Sequence, residues 1–138
     1  MAIILDADVI IRGEKGTFDL ERWFAKNAEE EFEVAAITIA ELWHGVERAK
    51  GEHRTRREEY LKPILAKLPA IHYTPAVARE HARIWAALLA AGKMTGYYDL
   101  IVAATAIHRG SKLATFNRRH FEHIDGLEMV QIEGNVSS

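Results

Sequence analysis

At 138 residues the chain is long enough for one domain with a buried core and too short for two. Its 49% hydrophobic and 28% charged residues are ordinary for a globular protein, and no apolar run approaches the roughly 20 residues that span a membrane. The lack of cysteine excludes disulfides and thiolate metal sites, while a net charge of −2 argues against a protein that coats nucleic acid non-specifically. With no secretion signal at its N-terminus, the protein is expected in the cytoplasm.

Apolar periodicity predicts short strands that alternate with helices along the chain. The expected elements, in chain order, are a strand at 2–5, a helix at 18–32, a strand at 34–37, a helix from 38 that fades in the charged stretch 47–59, a helix at 56–68 bent or begun at residue 63, a strand at 71–73, a helix from 75 to 92, a helix at 99–107, and strands at 112–115 and 128–132. The helix from 75 has one apolar face made of Val77, His81, Ile84, Trp85 and Leu88, so His81 is expected in the core.

This alternation predicts an α/β fold in three layers, with a short central parallel sheet of four to five strands covered by helices on both faces. We expect a single domain over residues 1–133 and a frayed tail at 134–138. In open parallel sheets, ligands bind at the carboxyl ends of the strands. Candidate functional residues are therefore sought at that edge.

Three acidic residues fall at this predicted edge. Asp6 follows the first strand, Glu41 lies in the first turn of the helix after the second strand, and Asp99 opens a later helix. Two polar residues, Thr115 and Asn117, follow the fourth strand. The sequence thus predicts a cluster of oxygen ligands at one end of the sheet.

Each acid also has a purely structural explanation. Asp8, and less readily Asp6, could cap a turn, and the segment 38–41 (TIAE) matches a capping box in which Glu41 reaches back to the Thr38 backbone. The helix dipole favours Asp99 at a helix start. Together, however, three carboxylates at one edge repel one another by roughly 1 to 4 kcal/mol per close pair, which a divalent cation offsets. Oxygen ligands without thiols or a convincing histidine set favour Mg²⁺ or Mn²⁺.

Residues 108–123 are locally basic. They contain Arg109, Lys112, Arg118 and Arg119 beside His108, His120 and His123, against one acid, Glu122. Such an edge is suited to contact with a few phosphates, although a solvated surface explains it as well.

Four segments carry a family resemblance: 4–10 (ILDADVI), 39–46 (IAELWHGV), 98–106 (YDLIVAATA) and 113–121 (LATFNRRHF). They resemble the PIN-domain ribonucleases, and most of all the VapC toxins of bacterial and archaeal toxin–antitoxin pairs. The resemblance extends over residues 3 to about 131, with the segments in the family's order. It implies a PIN-like fold and a Mg²⁺- or Mn²⁺-dependent endonuclease that acts on single-stranded or loop regions of RNA.

The resemblance also implies roles for particular residues. Asp6, Glu41 and Asp99 match the family's three core acids, which hold the metal and carry catalysis. Supporting polar roles near the metal fall on Asp8, Thr115 and Asn117, and possible RNA contacts are Arg118, Arg119 and His120. His120 stands where a fourth acid is common, which favours one tightly held ion with a weaker second. The implied partners are an RNA substrate, a cognate VapB-type antitoxin and a second copy in a homodimer.

Two other functions stay open from the sequence. The opening IILDADV resembles the first motif of haloacid-dehalogenase phosphatases, in which Asp6 would be the nucleophile, although the later acids of that fold are incomplete here. A non-catalytic binding module would keep the fold and use the acids only for capping. The nuclease hypothesis entails attack of water in line on the phosphodiester, which gives 5′-phosphate and 3′-hydroxyl ends.

Overall fold

A computed structural model describes residues 2–132, whose core is a five-stranded parallel sheet. The strands are β1 (Ala2–Leu5), β2 (Glu31–Ala35), β3 (Ala70–Ile71), β4 (Lys112–Ala114) and β5 (Met129–Val130). Their order across the sheet is β3-β2-β1-β4-β5, and every neighbouring pair is parallel. The predicted short parallel sheet is confirmed. Its outer strands are two residues long, which leaves little edge available for pairing with another chain.

Helices connect the strands and cover both faces of the sheet. They are α1 (Ala7–Lys15), α2 (Leu20–Lys26), α3 (Ala36–Arg48), α4 (Gly51–Lys67), α5 (Pro75–Ala90) and α6 (Tyr97–Arg109), and a single 3₁₀ turn spans Arg118–His120. Residues of α1 to α4 pack in one apolar core, whereas residues of α5 and α6 pack in a second core on the other face. The three-layer α/β/α prediction is therefore confirmed.

Side chains of β1 alternate between the two cores, as a strand in the middle layer requires. Ile3 and Leu5 belong to the core under α1 to α4, whereas Ile4 points into the core under α5 and α6. His81 is buried in α5, as predicted, with 5% of its surface exposed. Trp85, predicted on the same buried face, is instead 45% exposed, because only Val77, His81, Ile84 and Leu88 face the sheet.

Several element boundaries differ from the prediction. Helix α1 was not predicted, because the apolar run 3–11 is interrupted only by two acids and resembles a single strand. Helix α2 ends at Lys26 rather than continuing to 32, since Asn27 closes it with backbone and side-chain bonds to the Trp23 carbonyl. Residues 31–35 then pair with β1 as strand β2. Helix α4 runs through Pro63 without a break at that residue.

Helix α3 begins at Ala36, two residues earlier than predicted. Its N-cap is Ala35, which makes no side-chain capping bond. No helix within residues 2–132 is both long and apolar enough to cross a membrane. The tail expected to fray, 134–138, lies outside the described residues.

Candidate active site

Asp6 occupies the junction between β1 and α1. Its backbone N–H donates to the Ala114 carbonyl at 2.9 Å, which joins the end of β1 to the end of β4. Its side chain caps α1, since Oδ1 accepts from the Ala7 N–H at 2.9 Å. Its other oxygen, Oδ2, accepts from the Thr115 hydroxyl at 2.8 Å. Asp6 is thus oriented from both strands, with only 5% of its surface exposed.

Asp8 lies in the first turn of α1, beside the same loop. Its Oδ2 accepts the backbone N–H of Phe116 at 2.9 Å, while its Oδ1 is buried and has no hydrogen-bond partner among residues 2–132. The cap of α1 is therefore Asp6 and not Asp8, which the sequence favoured, and Asp8 instead secures the loop after β4. A buried carboxylate oxygen without a donor is costly, and a bound cation would satisfy it.

The polar pair after β4 contributes unequally. The Thr115 side chain contacts Asp6, and its hydroxyl oxygen also accepts the Asn117 backbone N–H at 3.0 Å. The Asn117 side chain is exposed. The structure thus brings Thr115 to the acids through its side chain and Asn117 through its backbone.

Glu41 is not part of a capping box, so that structural explanation is wrong. Thr38 is the third residue of α3 rather than its cap, and its hydroxyl is buried with no partner in the described chain. Because α3 begins at Ala36, Glu41 lies beyond the first turn and cannot satisfy the helix N-terminus. Capping of α3 therefore does not explain why Glu41 lies next to other carboxylates.

Asp99 is the third residue of α6, whose N-cap is Gly96. The helix dipole favours an acid there, as expected, but Asp99 makes no capping bond. Its Oδ2 lies 3.1 Å from Nδ1 of His120, the residue in the place of the family's fourth acid. The 3₁₀ turn at 118–120 thus closes over the start of α6.

Four carboxylates lie near enough to one another at this edge of the sheet for repulsion between them to raise the pKa of two. Burial, and then repulsion from Asp6, Asp99 and Asp8, raise the pKa of Glu41 to about 7. Burial and the neighbouring Asp8 raise the pKa of Asp6 to about 6, against the hydrogen bond from Thr115. Burial also raises the pKa of Asp8 and of Asp99, the latter against the nearby His120. We call Asp6, Asp8, Glu41 and Asp99 the acid cluster.

The acid cluster fits a hard divalent cation by its chemistry. Its ligands are carboxylate oxygens, one of them buried without a donor, and burial together with repulsion between the acids raises the pKa of Asp6 to about 6 and that of Glu41 to about 7. Within residues 2–132, no three His, Asp or Glu side chains stand close enough to enclose an ion as they are. A cation would therefore draw the carboxylates closer together than their mutual repulsion allows without it.

The basic residues of 108–123 do not form one edge. Lys112 starts β4, and Arg109 forms an ion pair with the buried Glu33 of β2, so both lie at the end of β4 away from the acid cluster. Arg118, Arg119 and His120 follow β4 at its carboxyl end and are exposed. The latter three, which are the predicted RNA contacts, lie on the side of the candidate site.

Two further residues beside the site were not predicted. Thr95, in the loop before α6, lies with its hydroxyl 2.8 Å from Nε2 of His123 and 3.3 Å from the His120 carbonyl oxygen. The Arg12 guanidinium carbon lies 4.3 Å from the centroid of the Phe116 ring. No sequence pattern marks Thr95, and Arg12 would be noticed only once α1 is recognised as a helix, which places it one turn after Asp8.

The chain is similar in sequence and in structure to several known proteins. The PIN domain profile matches residues 3–127. Ribonuclease VapC2 of Haemophilus influenzae is 35% identical over 94 residues, 68% of this chain and 70% of that protein. Ribonuclease VapC1 of Rickettsia felis is 29% identical over 136 residues, covering 96% of this chain and 97% of its own. In a crystal structure of DNA-bound VapBC from Salmonella typhimurium, a chain 26% identical superposes with a TM-score of 0.85, over 94% of this chain and 97% of that one.

Proposed function

This chain belongs to the PIN-domain family, and we propose that it is a metal-dependent endoribonuclease, the toxin of a type II toxin–antitoxin pair. Its relatives are named ribonucleases, which supports a nuclease that hydrolyses phosphodiester bonds. The observation that carries the proposal is the acid cluster at the carboxyl ends of β1 and β4, where burial and repulsion between carboxylates raise the pKa of Glu41 to about 7. RNA as substrate also favours the cytoplasm as its location.

The proposed metal ligands are Asp6, Glu41 and Asp99, with Mg²⁺ or Mn²⁺ as the ion. Carboxylate oxygens without sulfur suit these hard cations. Asp8 supports the site from the loop side, and its unpartnered Oδ1 favours a cation nearby. Because His120 instead of a carboxylate contacts Asp99, we expect one tightly held ion and a weaker second.

The side chains of the site have separable tasks in this reaction. A bound divalent cation would supply an activated water and neutralise charge on the scissile phosphate. Thr115 holds Asp6 at 2.8 Å, so that the carboxylate cannot rotate away, and the Ala7 N–H fixes its other oxygen. His120, 3.1 Å from Asp99, orients that carboxylate from the outside of the site. Arg118 and Arg119 are exposed beside it and available to the phosphates of the strand.

The test is to map the ends of cleaved RNA in cells that express the chain, against the variant Asp99→Asn. We expect internal cuts with 5′-phosphate and 3′-hydroxyl ends, and a loss of at least about 100-fold with the variant, as for removal of a group that stabilises transition-state charge. Ends that carry a 2′,3′-cyclic phosphate would contradict the mechanism. Equal RNA profiles for the two proteins would favour the non-catalytic binding module.

Membership of the PIN-domain family disfavours the haloacid-dehalogenase alternative. Asp6 accepts one hydrogen bond on each carboxylate oxygen, from the Ala7 N–H and from the Thr115 hydroxyl. Each oxygen therefore keeps a lone pair that can bind a cation. An aspartyl-phosphate trapped on Asp6 would revive the phosphatase alternative.

Two surfaces suit the proposed protein partners. A groove of about 790 Å³ between α1, α2 and α4 is lined by apolar side chains that include Phe18, Leu20, Phe24 and Ile64. Its composition suits an apolar segment of the cognate VapB-type antitoxin. A separate exposed apolar surface on α5 and the start of α6 suits a second copy of the chain, as the proposed homodimer requires.

A further inference from the structure

Arg12 is placed beside the acid cluster by helix α1. It follows Asp8 by four residues, which puts the two side chains on the same face of α1. The guanidinium lies over the ring of Phe116, whose backbone N–H is bonded to Asp8. The charge of Arg12 also works to lower the pKa of Asp8, against its burial. A cation is therefore held next to a group of carboxylates that a phosphodiester strand must approach.

Phe116 provides a fixed platform for this cation. Phe18 packs edge-on against its ring with 5.0 Å between centroids, and the bond to Asp8 holds its backbone. A guanidinium stacked on a ring presents its N–H groups in the plane, where they can form a fork with the oxygens of a phosphate. The stack orients Arg12 without using these donors.

Arg12 has no carboxylate within 4 Å among residues 2–132, unlike the arginines that serve the fold. Arg54, Arg57, Arg83 and Arg109 each form an ion pair with a glutamate. The dipole of α1 accounts for a basic residue in the last turn of that helix, but not for the ring beneath it. The guanidinium N–H groups of Arg12 are thus available to an anionic ligand whose oxygens can accept hydrogen bonds, such as a phosphate.

We propose that Arg12, stacked on Phe116, binds a phosphate of the RNA strand next to the phosphodiester that is cut. This rests on the proposed function, since it assigns a contact of the same substrate at the same site. A phosphate contact of this kind positions the strand and carries no sequence preference. Arg12 is therefore a positioning residue, which acts by holding the strand in register with the acid cluster.

The test measures binding of a fluorescein-labelled single-stranded oligoribonucleotide of mixed sequence, by fluorescence anisotropy over a series of salt concentrations. All proteins carry Asp99→Asn so that the RNA is not cut, and Arg12→Gln is compared with Arg12→Lys, Phe116→Leu and Arg56→Gln. Arg56 is the matched control, an exposed arginine on α4 whose side chain has one hydrogen-bond partner among residues 2–132, His53. Thermal melting confirms that each variant is folded.

We expect Arg12→Gln to weaken binding several-fold at low salt and to reduce the slope of log affinity against log salt by about 0.7, the value of one phosphate contact on a single strand. Arg12→Lys should keep the slope but bind less tightly, and Phe116→Leu should weaken binding in the same direction. In the active protein, Arg12→Gln should act mainly by raising KM. Arg56→Gln should match the parent in every measurement.

An unchanged slope for Arg12→Gln, or an equal loss for Arg56→Gln, overturns the assignment of Arg12. If the chain still cuts RNA in that case, the proposed function stands without it. If the chain with its native Asp99 does not cut RNA and the Asp99→Asn parent does not bind it, both are overturned.

Discussion

Glu41 is a half-buried carboxylate with no cationic partner among the described residues. Its pKa of about 7 in the folded protein exceeds the ordinary value of 4.5, because of burial and repulsion from three aspartates. Between these two pH values the folded chain holds a proton that the unfolded chain releases. Glu41 therefore does not lower the stability of the fold below about pH 4.5, where it is protonated in both states. As the pH rises from there through 7, deprotonation of Glu41 progressively destabilises the folded chain.

Glu41→Gln should accordingly stabilise the metal-free protein at pH 8 and have little effect at pH 5. After allowance for solvent screening, the gain in the free energy of unfolding should be on the order of 1 kcal/mol. Urea denaturation in EDTA at both pH values measures it, with Glu59→Gln, an exposed glutamate of α4, as the control. A variant that is no more stable than the wild type at pH 8 would show that Glu41 is not repelled by the other acids.

Addition of Mg²⁺ tests whether Glu41 is also a ligand of the proposed metal ion. A ligand that binds only the folded chain raises its stability in proportion to the logarithm of its concentration over Kd. At pH 8, Mg²⁺ should therefore stabilise the wild type more than Glu41→Gln. Equal stabilisation of the two proteins would remove Glu41 from the proposed set of ligands.

The positions of the site residues could be predicted where those residues directly follow a strand. Asp6, Glu41 and Asp99 come together because the carboxyl ends of parallel strands share one edge, which the alternation of strands and helices already implies. Which acid serves as a cap depends on backbone angles that sequence patterns do not specify, so Asp8 was preferred where Asp6 caps. The contact of His120 with Asp99 joins residues 21 apart and has no local signal at all.

At the scale of whole elements, a buried glutamate joins the end of α6 to the sheet. Glu33 of β2 is 4% exposed, forms an ion pair with Arg109 at the end of α6, and accepts a hydrogen bond from the Ser111 hydroxyl at 3.3 Å. Burial of a charge is tolerated only while such partners remain. This contact holds α6 in register with β2, and α6 carries Asp99.

Arg109→Met should therefore lower the free energy of unfolding by about 2 kcal/mol, less than the loss for a fully buried pair because half of the Arg109 side chain is in solvent. Urea denaturation at neutral pH measures this, and Arg83→Met, which removes an exposed ion pair on α5, should cost no more than about 0.5 kcal/mol. The double variant Glu33→Leu/Arg109→Met should recover part of the loss. If it is less stable than Arg109→Met, the buried charge is not the cause.

Element positions were predicted best where the apolar period is unambiguous. The limits of β1 agree with the prediction to the residue, and the helix starting at Pro75 was correctly placed by its proline. Helix α1 was missed because its nine residues follow β1 after one capping aspartate, so strand and helix present a single apolar run. The start of α3 was misplaced because its N-cap, Ala35, makes no side-chain capping bond, so no residue type in the sequence marks where the helix begins.

For the whole molecule, the sequence predicted the layers of the fold but not which apolar side chains are exposed on its surface. Short apolar strands between helices leave few alternatives to a covered parallel sheet. Exposure is harder to infer, because a helix that packs on a sheet buries only part of an apolar face. Trp85 shows this, since it continues the periodic face of α5 and is nevertheless 45% exposed.

The large hydrophobic side chains that are exposed in residues 2–132 all lie between residues 73 and 98. They are Tyr73, Trp85, Leu89, Met94, Tyr97 and Tyr98. The aromatic members form one surface, because their rings are linked in contact through His81 from Tyr73 to Tyr98. Monomeric proteins seldom expose apolar surface in such a concentration, so we expect a second copy to cover it.

Leu89→Glu should convert this proposed dimer into a monomer. Leu89 is 65% exposed, so a charge there leaves the fold of one chain intact, whereas it would be buried without a partner in a dimer contact. Size-exclusion chromatography with light scattering measures the mass, and Thr55→Glu, at an exposed position of α4, should remain dimeric. Because Tyr97 and Tyr98 directly precede Asp99, loss of the dimer should also reduce RNA cleavage. A wild-type protein that is monomeric at micromolar concentration, or a Leu89→Glu variant that stays dimeric, would contradict this use of the surface.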